Sequence, residues 1–295
     1  MDPRLLEAVR KYDIPTFQSL AQEDKETLQR KTDNSFNTAL HLASKYGHTE
    51  IASAIVKVCP DMAAAENKNL ETPFHEACRQ GNVMVLILLL EVNLGAACKL
   101  NSNGKSCFFV ACCHGHLDAV NLLLNQPGMV SLWEVGIEQT CIHVAASRGH
   151  TDIVRELLNV FPGLAQVTDE NGNSPLHYAC NKGHREIAWM LLRRDANLAL
   201  EYNNNGYTPL HLAVLKGEVP VLEDFVLTAA ASLHYLTREE ETIFHLAVRY
   251  GHYDALLLLV HVLNGTNLLH CQDRHGNTAL HLAVTGGRHK ILKLL

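Results

Sequence analysis

Asn171-Gly172-Asn173-Ser174-Pro175-Leu176-His177-Tyr178-Ala179-Cys180-Asn181-Lys182-Gly183-His184 decides how this chain folds, because a version of it returns at a fixed interval along the sequence. Each residue has a local reason to be there. Ser174 can accept a hydrogen bond from the free N–H groups of a first helical turn, and Pro175 suits the first helical position, where no donor is needed. Gly183 stops the helix by entering the left-handed region at little cost. Aligned on the capping hydroxyl, the copies begin at Thr38, Thr72, Ser106, Thr140, Ser174, Thr208, Thr242 and Thr278, six intervals of 34 residues and a last one of 36. Every copy has an Ala five residues after the cap and a Gly nine residues after it.

This pattern resembles the ankyrin repeat, and Thr208-Pro209-Leu210-His211-Leu212-Ala213 matches its signature letter for letter. The resemblance implies an all-α solenoid of helix-turn-helix repeats with β-turn fingers. It also implies a non-catalytic protein–protein interaction module. The expected organisation is an N-terminal cap over residues 1–34, then about eight repeats over residues 35–295, the last of them truncated. Arg4 to Leu20 supplies the cap: it reads as the helical half of a repeat, with Ala8 in the Ala slot and Asp13 where a His follows Gly elsewhere. Second helices are expected at Glu50–Val58, Val83–Val92, Leu117–Leu124, Thr151–Val160, Arg185–Arg193, Val219–Leu227 and Tyr253–His261, with apolar residues at helical spacing, as in Ile153, Val154, Leu157 and Leu158.

Composition agrees with stacked short helices. The 295 residues are 47% hydrophobic but only 6% aromatic, and a solenoid can grow to that length because each unit touches only its neighbours. A net charge of −6 leaves no footprint of a general nucleic-acid binder. Nine cysteines, an odd number, point to a reducing, cytoplasmic setting. The apolar runs Val83 to Leu90 and Ala255 to Val260 are too short to span a bilayer, which needs about 20 residues.

Cys59-Pro60-Asp61-Met62-Ala63 and Phe161-Pro162-Gly163-Leu164-Ala165 follow two second helices. Together with the 34-residue spacing they resemble the plant ankyrin-repeat transmembrane proteins, the accelerated-cell-death-like group with a membrane domain carrying a Pro-Gly-Gly motif. That resemblance implies the cytosolic array of a protein in defence or stress signalling, facing the cytosol at the plasma membrane or endoplasmic reticulum. The sequence stops at Ile291-Leu292-Lys293-Leu294-Leu295, midway through an expected second helix, which suggests a parent chain that continues into a membrane domain. The alternative is a regulatory array on an enzyme such as a kinase or acyltransferase.

No residue pattern points to catalysis, a cofactor or a metal. Of the 18 histidines, seven occupy the motif slot and five follow the closing Gly, positions the family uses structurally. Cys112-Cys113-His114-Gly115-His116 imitates a metal site but is one helix end in register, without the paired spacing of zinc motifs. Glu239-Glu240-Glu241 reads as a solvated turn tip. Phe109 stands where His belongs, so the turn beside it is either less restrained or held by packing.

Gly precedes the cap by two residues at Gly104, Gly172, Gly206 and Gly276, but Phe36, Leu70, Glu138 and Glu240 replace it elsewhere. Those turns must strain a left-handed residue or change shape. The finger tips Phe36 and Leu70 are candidate partner contacts. In ankyrin arrays the two residues before the closing Gly face the concave groove, and here six of eight such pairs carry Lys or Arg and none carries an acid. Lys45, Tyr46, Arg79, Gln80, His114, Arg148, Lys182, Lys216, Arg249 and Tyr250 are therefore the expected protein-binding residues. A row of cations suits a protein partner presenting an acidic or phosphorylated segment rather than a nucleic acid.

Overall fold

The computed structural model describes residues 1–23, 25–126 and 140–295, which fall into two compact units, Met1–Cys141 and Ile142–Leu295. Every regular element among the described residues is helical.

Unit 1 opens with a helical pair, α1 (Pro3–Lys11) and α2 (Ile14–Glu23), capped at its start by the Asp2 side chain, which accepts from the Arg4 amide. Tyr12, in the Gly slot of this pair, takes the left-handed conformation at φ 58°. Three repeats follow as α3 (Ala39–Tyr46) with α4 (Thr49–Val58), α5 (Pro73–Gln80) with α6 (Val83–Val92), and α7 (Cys107–His114) with α8 (Leu117–Leu124). First helices stack on first helices, α3 on α5 and α5 on α7, and second helices on second helices.

Helix α9 (Thr140–Arg148) begins on Thr140 itself, the last residue but one of unit 1. Unit 2 continues with α10 (Thr151–Val160), α11 (Pro175–Lys182), α12 (Arg185–Arg194), α13 (Pro209–Lys216), α14 (Val219–Thr228), α15 (Ile243–Tyr250), α16 (Tyr253–Val262), α17 (Ala279–Thr285) and α18 (His289–Leu292). Here α11 packs on α13, α13 on α15 and α15 on α17.

The slots read from the sequence have the physical roles expected of them. The Ala five residues after each cap is wholly buried in all eight copies, from Ala43 to Ala283, because only a methyl fits where first helices stack. Each closing Gly is left-handed, with φ between 61° at Gly287 and 82° at Gly115. A close approach makes these glycines doubly necessary: a Cβ on Gly81 would sit 2.5 Å from the His116 ring, and one on Gly217 would sit 2.5 Å from His252. Most second helices run into a single 3₁₀ turn, such as Pro60–Ala64 or Pro162–Gln166, which buries Ala63 or Ala165 and turns the chain toward the next finger.

Candidate functional site

Six of the described fingers are tied from within by one short polar side chain. Asn67 Oδ1 accepts from the amides of Asn69 and Glu71 at 2.9 and 3.0 Å, and Asn101, Asp169, Asn203 and Asp273 repeat that pair of bonds in their own fingers. Thr237 does so more weakly, through its hydroxyl, at 3.3 and 3.2 Å. Adjacent fingers are joined by backbone bonds, Lys68 N to Ser35 O and Ser102 N to Asn69 O in unit 1, Asn204 N to Asn171 O and Arg274 N to Glu239 O in unit 2. These polar residues, five before the caps Thr72, Ser106, Ser174, Thr208, Thr242 and Thr278, are missing from the reading by sequence, although their recurrence was available to it.

The motif histidines fix each finger to its helix and to the repeat that follows. The Ser174 amide donates to His177 Nδ1 at 3.1 Å, which makes that nitrogen the acceptor and leaves the proton on Nε2. Nε2 in turn lies 3.1 Å from the Tyr207 carbonyl of the next repeat. His41 is held between the Thr38 amide and the Glu71 carbonyl, and His211 between the Thr208 amide and the Tyr235 carbonyl, in the same manner. Burial pushes the rings of His41, His177 and His211 down to about 4, so all three are neutral at pH 7. In the third repeat Ser106 caps alone, accepting from the Phe109 amide at 3.1 Å, and the Lys105 ammonium lies 4.3 Å from the half-buried Phe109 ring. Packing therefore replaces the missing imidazole there.

Residues after the closing Gly reach backward. His116 Nε2 donates to the Arg79 carbonyl at 2.9 Å, His184 to the Ser147 carbonyl at 3.0 Å and His252 to the Leu215 carbonyl at 2.9 Å. Asn82 and Arg288 supply the equivalent donors from other side chains. The carbonyl groups left over at the ends of first helices are thus satisfied by the following repeat. Glu218 departs from this pattern, its carboxyl lying over Gly183 where those side chains place a donor. His116 is committed by this bond, and among the described residues no group of three metal-ligating side chains comes together.

At the turn tips, Phe36, Leu70 and Glu240 adopt φ of 56°, 57° and 60°, so the strained alternative is the one these fingers take. Glu138 lies outside the described residues. Phe36 and Leu70 project outward with 46% and 47% of their surface exposed. The charge run is not a uniformly solvated tip: Glu241 is only 3% exposed, pointing inward to a contact of 2.6 Å with Arg249.

The expected groove residues separate into two groups. Arg79 is ion-paired with Glu71 and lies 3.1 Å from Glu76, while Arg249 joins Glu241 to Asp273, the latter at 3.7 Å. These two arginines are structural clamps between finger and helix, which takes them out of the free cation row. The Lys45 ammonium lies 6.0 Å from the Tyr46 ring, and Tyr46 in turn is 5.7 Å from His48. Gln80 ends α5, exposed; His114 stacks on His116 at 6.4 Å, and Tyr250 on His252 at 6.5 Å. Arg148, Lys182 and Lys216 are exposed at the ends of α9, α11 and α13, and none of them enters an ion pair among the described residues.

No helix among the described residues is long and apolar enough to cross a membrane. No curated protein matches the chain. The family model described as ankyrin repeats (3 copies) matches residues 5–97, 60–132, 130–202, 165–228 and 222–295. With matches running across nearly all of the sequence, and with caps, closing glycines and stacked hairpins placed as that repeat requires, the chain belongs to the ankyrin-repeat family.

Proposed function

We propose that this chain is a non-catalytic protein-binding module that takes an acidic or phosphorylated segment of its partner. One observation carries the reading: three consecutive first helices of unit 2 end in exposed cations, Arg148, Lys182 and Lys216, that pair with no described carboxylate. Cations at helix ends usually complement the dipole. Here His184 and His252 already occupy the terminal carbonyls of α9 and α13, so that local use is largely taken. Parallel cations that are not neutralised by the fold focus a positive potential and favour an acidic chain laid along them. Phe36 and Leu70 serve unit 1 as a separate apolar contact, held outward on strained tips.

The Cys59-to-Ala63 and Phe161-to-Ala165 segments support placing the array on the cytosolic face of a plant membrane protein in defence or stress signalling. Several apolar helices after Leu295 in the parent chain would agree with this; kinase or acyltransferase motifs there would replace it. For binding itself, exchanging Arg148, Lys182 and Lys216 for Glu should abolish capture of the native partner while the circular dichroism spectrum stays unchanged. Capture with unaltered affinity and salt dependence would remove the row from the binding surface.

A further inference from the structure

We infer that the segment taken by unit 2 is an acidic chain in the polyproline II conformation, with carboxylates at every third residue, one for each of Arg148, Lys182 and Lys216. This rests on the reading that the row binds an acidic segment and adds to it the conformation and register of the ligand. The three cations hold the same place in successive repeats, 34 residues apart, so their spacing is that of the repeat itself. The His184-to-Ser147 bond, the packing of α11 on α13 and the His177-to-Tyr207 bond fix that spacing on both sides of Lys182. Helices in contact lie about 8–10 Å apart.

A polyproline II chain makes one turn in three residues with a rise of about 3.1 Å each, so residues i, i+3 and i+6 share a face at intervals of about 9 Å. That interval falls within the spacing of about 8–10 Å between packed helices. A β-strand returns to the same face about every 6.7 Å and falls out of step after one rung. An α-helix needs seven residues, about 10.5 Å, for each rung, so it must order about 15 residues to reach all three cations. The polyproline II chain reaches them with seven residues and leaves its backbone groups open to polar neighbours such as Asn181 beside Lys182. Carboxylates are the matching anions because each rung offers one cation, and a single exposed pair with Lys needs no more than one acceptor. Glu218, whose carboxyl lies over Gly183, is the acidic group next to the row and pairs with none of the three cations.

Fluorescence anisotropy with labelled peptides on the full chain tests the register. Three glutamates at every third position in a proline and alanine background should bind about tenfold more tightly than the same composition with glutamates at every second position, the loss expected when two exposed ion pairs go unmade. Lys182→Gln should weaken the first peptide and leave the second unchanged, and Glu218→Gln should tighten the first. If all spacings bind equally, or if a helical peptide with glutamates at every seventh position binds best, the register is wrong while the acidic-segment reading stands. A phosphoserine peptide of the same spacing that binds more than about tenfold better than the glutamate one would overturn the choice of carboxylate. If no acidic peptide binds, and the triple reversal leaves partner capture intact, the underlying reading fails with it.

Discussion

Phe36 and Leu70 hold a backbone conformation that costs an L residue about 1–2 kcal/mol, and they do so on exposed tips where four of the other fingers carry glycine. Packing repays little of that strain, since about half of each side chain is exposed. Phe36→Gly and Leu70→Gly should each therefore raise unfolding stability, by about 0.5–1 kcal/mol once the greater freedom of glycine in the unfolded chain is counted. Urea denaturation checks this, and a loss of stability in both variants would show that the rings pack after all. The arginines make the opposite case. Glu71 and Glu241 are the only glutamates directly before a cap, and Arg79 and Arg249 are the only arginines seven residues after one, so each clamp pairs the same two slots. Removing Arg79 strands two largely buried carboxylates, and Arg79→Ala should cost about 2 kcal/mol or more, whereas Lys45→Ala should change stability by less than about 0.5 kcal/mol. Equal effects from the two substitutions would undo the division between clamp and free cation.

At the scale of the helix and finger, the sequence was legible wherever one residue type has one physical use. A hydroxyl followed three residues later by His reads as a cap closed by its own helix, and among the described residues six such boxes form, at Thr38, Thr72, Ser174, Thr208, Thr242 and Thr278. The proposed binding row was less legible because an Arg at a helix end looks the same whether its partner is solvent or a carboxylate eight residues back in the preceding finger. Only the coincidence of Glu71 with Arg79 and of Glu241 with Arg249 carried that information, and it is visible when the copies are compared slot by slot. The polar latches, Asn67 and its counterparts, were hidden for a different reason. Asn, Asp and Thr differ as letters while supplying the same acceptor oxygen to the same two amides.

For the whole molecule, the neutral histidines set the response to acid. His41, His177 and His211 have folded values near 4 against an ordinary 6.5, so the unfolded chain binds more protons between those limits and stability rises with pH there. The contribution is complete above pH 6.5 and drains away as pH falls toward 4, at up to about 1.4 kcal/mol per pH unit for each ring. Chemical denaturation at pH 7, 6 and 5 should show the loss, and a flat profile over that range would refute it. The two-way stapling of repeats has a mechanical side as well. A junction held forward by a motif histidine and backward by the residue after the closing glycine is pinned at two separated points and cannot pivot about either. Where Glu218 replaces the backward donor, the second pin moves to the second helices: the Arg185 guanidinium of the fifth repeat donates to the Asp224 carboxylate of the sixth at 2.8 to 3.2 Å, so this junction too is held at two separated points. Pulled from its two ends in an optical trap, the protein should rupture at that junction at a lower force once Arg185→Ala removes the outer pin, and an unchanged force would show that the pair bears no load.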